Sequence, residues 1–107
     1  MSMEAIFRAL ADASRRQLLD RLHSRNGQTL SELCKGLNMT RQAVAKHLAI
    51  LEEANLVASV RRGREKLHYL NPVPIHEIAE RWMGKYERTR LRALSELKRH
   101  LEGEGNG

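Results

Sequence analysis

The stretch at residues 40–57, TRQAVAKHLAILEEANLV, constrains the fold more than any other part of the sequence. Val44, Leu48 and Leu51 follow the i, i+4 and i+7 spacing of a helix that packs one face on a core. The opposite face combines small side chains with hydrogen-bonding ones, namely Arg41, Gln42, Ala45, Lys46 and Ala49. A purely solvated face would carry more long charged residues, so the pattern predicts a helix whose outer face is pressed against a partner.

Three more short helical segments precede this helix. Asp12 is suited to cap the second segment, and Thr40 is suited to cap the fourth, because their oxygens accept from the free amides of a first turn. Asn55 is expected to end the fourth helix, since asparagine tolerates the left-handed conformation of a C-cap. The predicted helices cover residues 4–11, 13–25, 31–37 and 41–54.

A hairpin and a long helix complete the predicted order of elements. The β-prone runs at 56–60 and 66–70 are joined by RRGRE, whose central glycine favours a turn. The NPVP segment then breaks the chain, because proline fits neither a central strand nor a helix interior. The last helix is expected over residues 75–102, a length of about 42 Å.

This order predicts a mainly α fold with a two-stranded β wing. Two short helices joined by a tight turn, the second with a small polar outer face, form a helix-turn-helix, and the hairpin after them makes it a winged helix-turn-helix. We expect residues 1–102 to form one domain for DNA binding and for dimerisation through the terminal helices, with a disordered tail at 103–107.

The composition favours a polyanionic partner. Nineteen basic residues against thirteen acidic ones give a formal net charge of +6, as expected for a protein that binds nucleic acid. Cys34 is the only cysteine, so an intrachain disulfide is excluded. The first residues carry no long apolar run and no stretch approaches transmembrane length, so we expect a cytoplasmic protein with no membrane partner.

The outer face of the fourth helix and the hairpin tip are the candidate DNA contacts. A helix of this width enters a major groove, and cations in a wing reach the phosphate backbone or the minor groove. The alternative is that both are ordinary solvated surfaces. Glu52 and Glu53 oppose the helix dipole at the other end of the helix, which we expect to lie away from DNA. The predicted DNA contacts are Thr40, Arg41, Gln42, Lys46, His47, Arg62 and Arg64.

The last helix carries an apolar stripe that is too long for four short helices to cover. Such a stripe is more often a subunit interface than a cofactor site, and packing two copies by two-fold symmetry with the first helix would bury it. Two-fold symmetry in turn predicts a palindromic operator. The predicted dimer contacts are Ile6, Phe7, Ile78, Trp82, Met83, Tyr86 and Leu94.

Two phrases of the sequence match a known family. An alanine-leucine pair, a small polar stretch, arginine and leucines occur at residues 9–22, ALADASRRQLLDRL. The second phrase has a threonine cap, a histidine-leucine pair, a leucine and a small residue before leucine-valine, within residues 40–57. With these phrases the chain resembles the ArsR/SmtB family of bacterial winged-helix transcriptional regulators over nearly its whole length. Asn55 stands where the family usually has glycine, and Ala45 where a hydroxyl residue is common.

The family's metal-binding patterns are incomplete in this chain. Its thiol sensors carry a cysteine-x-cysteine pair on the third helix, where this sequence has Cys34-Lys35-Gly36, and one thiol cannot make a soft-metal site. Neither His76 nor His100 completes the ligand patterns that other members carry on the last helix. The tail, with its tryptophan and Tyr- and Arg-rich turn, resembles a branch that does not sense metals, so no metal and no cofactor are expected.

The resemblance implies a homodimeric repressor that binds a short inverted repeat of double-stranded DNA, in its own promoter. No grouping of catalytic residues points to an enzyme. Two alternatives remain at this stage. One is a metal or small-molecule sensor of the same fold, with an atypical site built around Cys34, His76 or His100. The other is a winged helix used as a protein-interaction adaptor without DNA.

Overall fold

The computed structural model describes residues 3–105. The elements are α1 (Met3–Leu10), α2 (Ala13–Ser24), α3 (Leu30–Cys34), α4 (Arg41–Glu53), β1 (Val57–Arg62), β2 (Glu65–Leu70) and α5 (Val73–Gly105). This confirms the predicted fold class, mainly α with one two-stranded antiparallel hairpin. The chain divides into two units after Ile75, and each is described by itself.

The helices of the first unit begin at the expected caps. Asp12 Oδ1 accepts hydrogen bonds from the backbone N–H groups of Ser14 at 2.8 Å and Arg15 at 3.2 Å, and these bonds, that of Arg15 first, hold the pKa of Asp12 below its usual value. Thr40 Oγ1 accepts from the N–H of Ala43 at 3.0 Å. The third helix is capped by Thr29, which forms a reciprocal capping box with Glu32.

The end of α4 is fixed by a left-handed residue, as predicted for Asn55. Its φ is 63°, and Ala54 is the C-cap before it. The N–H of Leu56 donates to the carbonyl of Leu51 at 2.9 Å, and the N–H of Asn55 donates to that of Glu52 at 3.0 Å. Together these two bonds form a Schellman motif, which satisfies the last carbonyls of the helix and turns the chain into β1.

The core of the first unit is formed by the apolar faces of the short helices. The stripe of α4 that was predicted to face inward is buried, with Val44, Leu48 and Leu51 between 0% and 3% exposed. It meets residues from the other helices and from the start of β1 that are equally buried: Ile6, Leu18, Leu22, Leu33, Leu56 and Val57.

The wing, residues 57–70, is a regular antiparallel hairpin that reaches further into RRGRE than the sequence predicts. Arg62 pairs with Glu65, so only Gly63 and Arg64 form the loop. Gly63 has a φ of +63°, the conformation that a two-residue turn with glycine in its first position requires. At the other end, His68 forms an antiparallel bridge with Gln28, which lies between α2 and α3.

The second unit lies within α5, a helix of 33 residues that is about 50 Å long and whose first three residues belong to the first unit. The helix begins at Val73, before the predicted start at residue 75, because a proline in the first turn needs no N–H there. It continues to Gly105, past the predicted end at Glu102. The remainder of the predicted disordered tail, residues 106–107, lies outside the described residues.

Asn55 provides a test of the helix end. We expect Asn55→Ala to lower the free energy of unfolding by about 1 kcal/mol, because a Cβ-bearing residue without a local hydrogen-bonding side chain is disfavoured at positive φ. Asn55→Gly should leave stability unchanged or raise it by up to about 1 kcal/mol. Urea denaturation of both variants at one protein concentration measures this, and an alanine variant as stable as the glycine variant would contradict it.

Candidate nucleic-acid interface

The helix-turn-helix is formed by α3 and α4. The turn between them contains Gly36, with a φ of +74°, and a Cβ there would lie 3.2 Å from a terminal nitrogen of Arg21. The guanidinium of Arg21 donates to the backbone carbonyls of Leu33 and Lys35 and so satisfies the end of α3. Sequence reasoning did not identify this role, because nothing in the chain pattern separates Arg21 from a solvated arginine.

The outer face of α4 has the exposure that the sequence predicts. Arg41, Gln42 and Lys46 are exposed, as is Ala49. Arg41 is also oriented by a neighbour, since its Nη1 donates to Ser31 Oγ of α3 at 2.8 Å. The hydroxyl oxygen of Thr40, the predicted contact before this helix, is used as the helix cap.

His47 lies half-buried beside an arginine on α2. Its Nδ1 is 3.3 Å from Nη1 of Arg15, whose Nε donates to the carbonyl of Ala9 at 2.8 Å. A guanidinium only donates, so Nδ1 accepts and the ring hydrogen lies on Nε2. This leaves His47 one donor. Arg15, which no sequence pattern singles out, ties α4 to the end of α1. The role of His47 at DNA stays a prediction.

The wing tip is strongly cationic, and its basic side chains are all exposed. In the hairpin register Arg61 lies opposite Lys66, and Arg62 lies opposite Glu65. Successive strand residues point to opposite faces, so these two cross-strand pairs lie on opposite sides of the hairpin. Arg64 occupies the loop between them.

A cleft of about 470 Å³ lies between α4, the start of α3 and the wing. It brings together two of the predicted contacts, Arg41 and Arg64. The predicted contacts Gln42, Lys46 and Arg62 are exposed but do not line the cleft. The second helix of the helix-turn-helix, α4, is called the recognition helix. It and the wing contribute these further lining residues: Ala45, Leu48, Ala49, Glu52, Glu65, Lys66 and His68.

The carboxylate of Glu52 lines the cleft, with Oε1 3.4 Å from Nζ of Lys66 and 4.0 Å from Nε2 of His68. The position of this helix end relative to DNA stays a prediction. The His68 ring is held by its Nδ1, 2.9 Å from the carbonyl oxygen of Gln28. The sequence separation of these residues explains why the pattern of α4 alone could not reveal the cluster.

The candidate metal ligands do not form a site within the described part of the chain. Among residues 3–105 no three His, Cys, Asp or Glu side chains are grouped as metal ligands. Cys34 is half-buried, and His76 lies on α5 with Nε2 3.4 Å from Oε1 of Glu80.

The predicted dimer contacts differ in exposure. Ile6 belongs to the core of the first unit and is 5% exposed, whereas Phe7 on the same helix is 43% exposed. On α5, Ile78 is half-buried, and Trp82, Met83, Tyr86 and Leu94 are between 40% and 65% exposed. The Trp82 and Tyr86 rings lie side by side, with centroids 5.8 Å apart.

No helix within residues 3–105 combines the length and the apolar character that a membrane span requires.

Comparisons with known proteins agree with this architecture. Residues 10–60 match the family model of a helix-turn-helix domain. The uncharacterised HTH-type transcriptional regulator YuzN of Bacillus subtilis is 43% identical over 86 residues, which cover 75% of this chain and 94% of YuzN. The transcriptional repressor SdpR of Bacillus subtilis is 27% identical over 76% of this chain and 88% of SdpR.

A solved structure extends the likeness to three dimensions. The ArsR-like transcriptional regulator from Rhodococcus sp. RHA1 is 34% identical and has a TM-score of 0.71, over 88% of this chain and 90% of that one. The chain therefore belongs to the ArsR family of winged helix-turn-helix transcriptional regulators.

Proposed function

We propose that this regulator is a homodimeric repressor that binds a short inverted repeat of double-stranded DNA and acts on its own promoter. The observation that carries the proposal is the cleft, in which Arg41 of the recognition helix and Arg64 of the wing face one space. Cations on two sides of a cleft attract a phosphate backbone, while the helix beside it enters the major groove. Such a regulator acts in the cytoplasm, where its DNA lies.

Base reading is assigned to the outer face of α4. Gln42 and Lys46 are exposed and one helical turn apart, so both reach the same side. A glutamine amide donates to N7 of adenine and accepts from its N6 amino group. Gln42 is therefore the residue assigned to an A·T pair. Lys46 serves a base or a phosphate, and Thr40 and His47 supply further contacts to the backbone.

Binding of the DNA phosphate backbone is assigned to the wing. Arg62 is exposed at the end of β1, Arg64 is exposed in the loop, and this tip carries no base-reading amide. Phosphate contacts of this kind hold the recognition helix in register without reading sequence themselves.

Dimerisation is assigned mainly to α5, whose exposed large apolar side chains would form an unusually large patch on a monomer. Burying the stripe against a second copy by two-fold symmetry removes that patch and pairs each residue with its equivalent. Phe7 of α1 is a second exposed apolar residue available to the interface. We propose that residues 1–102 act as one DNA-binding and dimerisation domain, and that no metal is needed for assembly.

Repression rests on the transcriptional repressor SdpR as a relative, and the inverted repeat rests on the symmetry of a dimer. Footprinting of the purified protein on its own upstream region is the direct test. We expect protection of an inverted repeat that overlaps the promoter. Protection of a site without two-fold symmetry, or failure to bind duplex DNA at all, would contradict the proposal and favour the adaptor alternative.

Gln42 tests base reading. Gln42→Ala should weaken binding to the protected site by about 1–3 kcal/mol, because a bidentate contact to adenine is lost, and should change binding to random duplex little. Fluorescence anisotropy with both duplexes measures the difference. Gln17→Ala, which removes an exposed glutamine from α2, is the matched control and should leave both affinities unchanged. Equal weakening on the two duplexes would show that Gln42 does not read bases.

The wing is tested by its salt dependence. Arg62→Ala combined with Arg64→Ala should weaken binding to all sequences and reduce the slope of log K against log salt by about one to two units per wing. The control is Arg88→Ala combined with Arg99→Ala, which makes the same change in charge on α5. Each arginine lies two residues after an apolar residue of the stripe, Tyr86 or Leu97, and therefore about 200° around the helix from it. A slope unchanged by the wing substitutions would remove the wing from the interface.

Trp82 tests the dimer. Trp82→Ala should weaken dimerisation by about 2–4 kcal/mol, because large aromatic side chains dominate interface energetics. Operator binding should fall as well, since two recognition helices must be held about 34 Å apart to reach successive major grooves. Sedimentation in buffer with a chelator measures the dissociation of the dimer, and Arg88→Ala is the control. A monomeric wild type, or a Trp82→Ala dimer as tight as wild type, would disprove it.

A further inference from the structure

We propose that Glu52 limits how tightly the protein binds DNA of any sequence, because it holds Lys66 of the wing in an ion pair and so keeps that cation from DNA phosphates. The inference rests on the proposed function, because it assumes that the cleft faces DNA. It assigns to an acidic residue a role that neither the recognition helix face nor the cationic wing suggests.

The geometry places the carboxylate between two elements. Glu52 belongs to the last turn of α4, and the side chains it meets, Lys66 and His68, lie two residues apart on β2. Residues two apart on a strand point to the same face, so both project from the wing toward the recognition helix. The distances from Glu52 Oε1 are 3.4 Å to Lys66 Nζ and 4.0 Å to His68 Nε2.

The carboxylate is partly removed from water. Its Oε1 is inaccessible to solvent and has no hydrogen-bond partner among the described residues, although the side chain as a whole is 27% exposed. A carboxylate is also disfavoured at the C-terminal end of a helix, where the dipole is negative. Both effects make the cationic neighbour the main compensation for Glu52.

Lys66, by contrast, remains 48% exposed on the cleft. An exposed lysine beside DNA would ordinarily neutralise a phosphate and release a counterion, whatever the base sequence. With Glu52 at 3.4 Å the pair is close to neutral, and the remaining carboxylate oxygen repels a phosphate that approaches too closely. Sequence-independent binding is thereby weakened, while base contacts from the other end of α4 are unaffected.

A purely structural ion pair would behave differently. Removing a pair that only stabilises the fold would lower the free energy of unfolding without changing how many counterions DNA binding releases. The salt dependence of DNA binding is therefore the measurement that separates the two roles.

Glu52→Gln is the first variant, because it removes the charge and keeps the shape. We expect the slope of log K against log salt on random duplex to steepen by about one per bound protomer, which tightens binding roughly eightfold at about 0.1 M salt. Binding to the protected site should tighten by the same factor, because a phosphate contact is made whatever the base sequence. The matched control is Glu53→Gln, which makes the same change in net charge at an exposed neighbour outside the cleft lining. Equal effects of the two variants would overturn the inference.

Lys66→Met supplies an independent variant. Added to Glu52→Gln it should return the slope to the wild-type value, because it removes the cation that Glu52→Gln releases. A double variant whose slope stays as steep as that of Glu52→Gln alone would show that Lys66 is not the released cation and would overturn the inference. Titration of the wild type with duplex DNA separates a failure of the proposed function from a failure of the role assigned to Glu52. If wild type shows no salt-dependent binding to any duplex, the proposed function fails, whereas normal wild-type binding with an unchanged Glu52→Gln slope overturns only the role of Glu52.

Discussion

Burial of the apolar stripe of α4 is the interaction on which the rest of the first unit depends. Val44, Leu48 and Leu51 are almost inaccessible to solvent, and each buried aliphatic side chain contributes about 1.5–3 kcal/mol. The exposed ion pairs around the helix contribute about 0–1 kcal/mol each. The stripe therefore decides the rotation of α4 about its axis. Once that rotation is set, Arg41, Gln42 and Lys46 can only face outward.

The parts of the fold that were predicted correctly are those with local physical causes. The stripe of α4 follows from a 3.6-residue period, Asp12 and Thr40 from the free amides of a first turn, and Asn55 from the left-handed conformation that a helix end requires. Each of these signals is contained within a few residues of sequence. The hairpin was recognised for the same reason, although its strands extend further toward the glycine than hydrophobicity alone indicates.

The composition of the cleft could not be predicted, because it depends on contacts between residues far apart in the chain. The helix-dipole argument for Glu52 considers α4 alone, whereas the hairpin that follows α4 folds back and brings Lys66 beside Glu52. Arg15 and Arg21 look in the sequence like ordinary surface arginines, and only the fold shows them donating to backbone carbonyls. Polar side chains whose partners are distant in sequence carry no periodic signal.

The bridge between Gln28 and His68 has a consequence for how the wing moves. The base of the hairpin is fastened to the segment between α2 and α3 by backbone hydrogen bonds, from Gln28 N–H to the His68 carbonyl at 3.3 Å and from His68 N–H to the Gln28 carbonyl at 2.8 Å. Beyond it, the backbone of the tip at residues 61–66 is held by the two-stranded ladder, and only the side chain of Lys66 is tied to α4 in this part of the hairpin, through Glu52. The wing is thus fixed at its base and can bend toward its tip. Its backbone amides should exchange with solvent slowly at the base and quickly at the tip. Such a hairpin adjusts to the local width of a DNA groove by bending only its last few residues. The conformational entropy lost on binding DNA is then lost at the tip, and the recognition helix keeps its conformation.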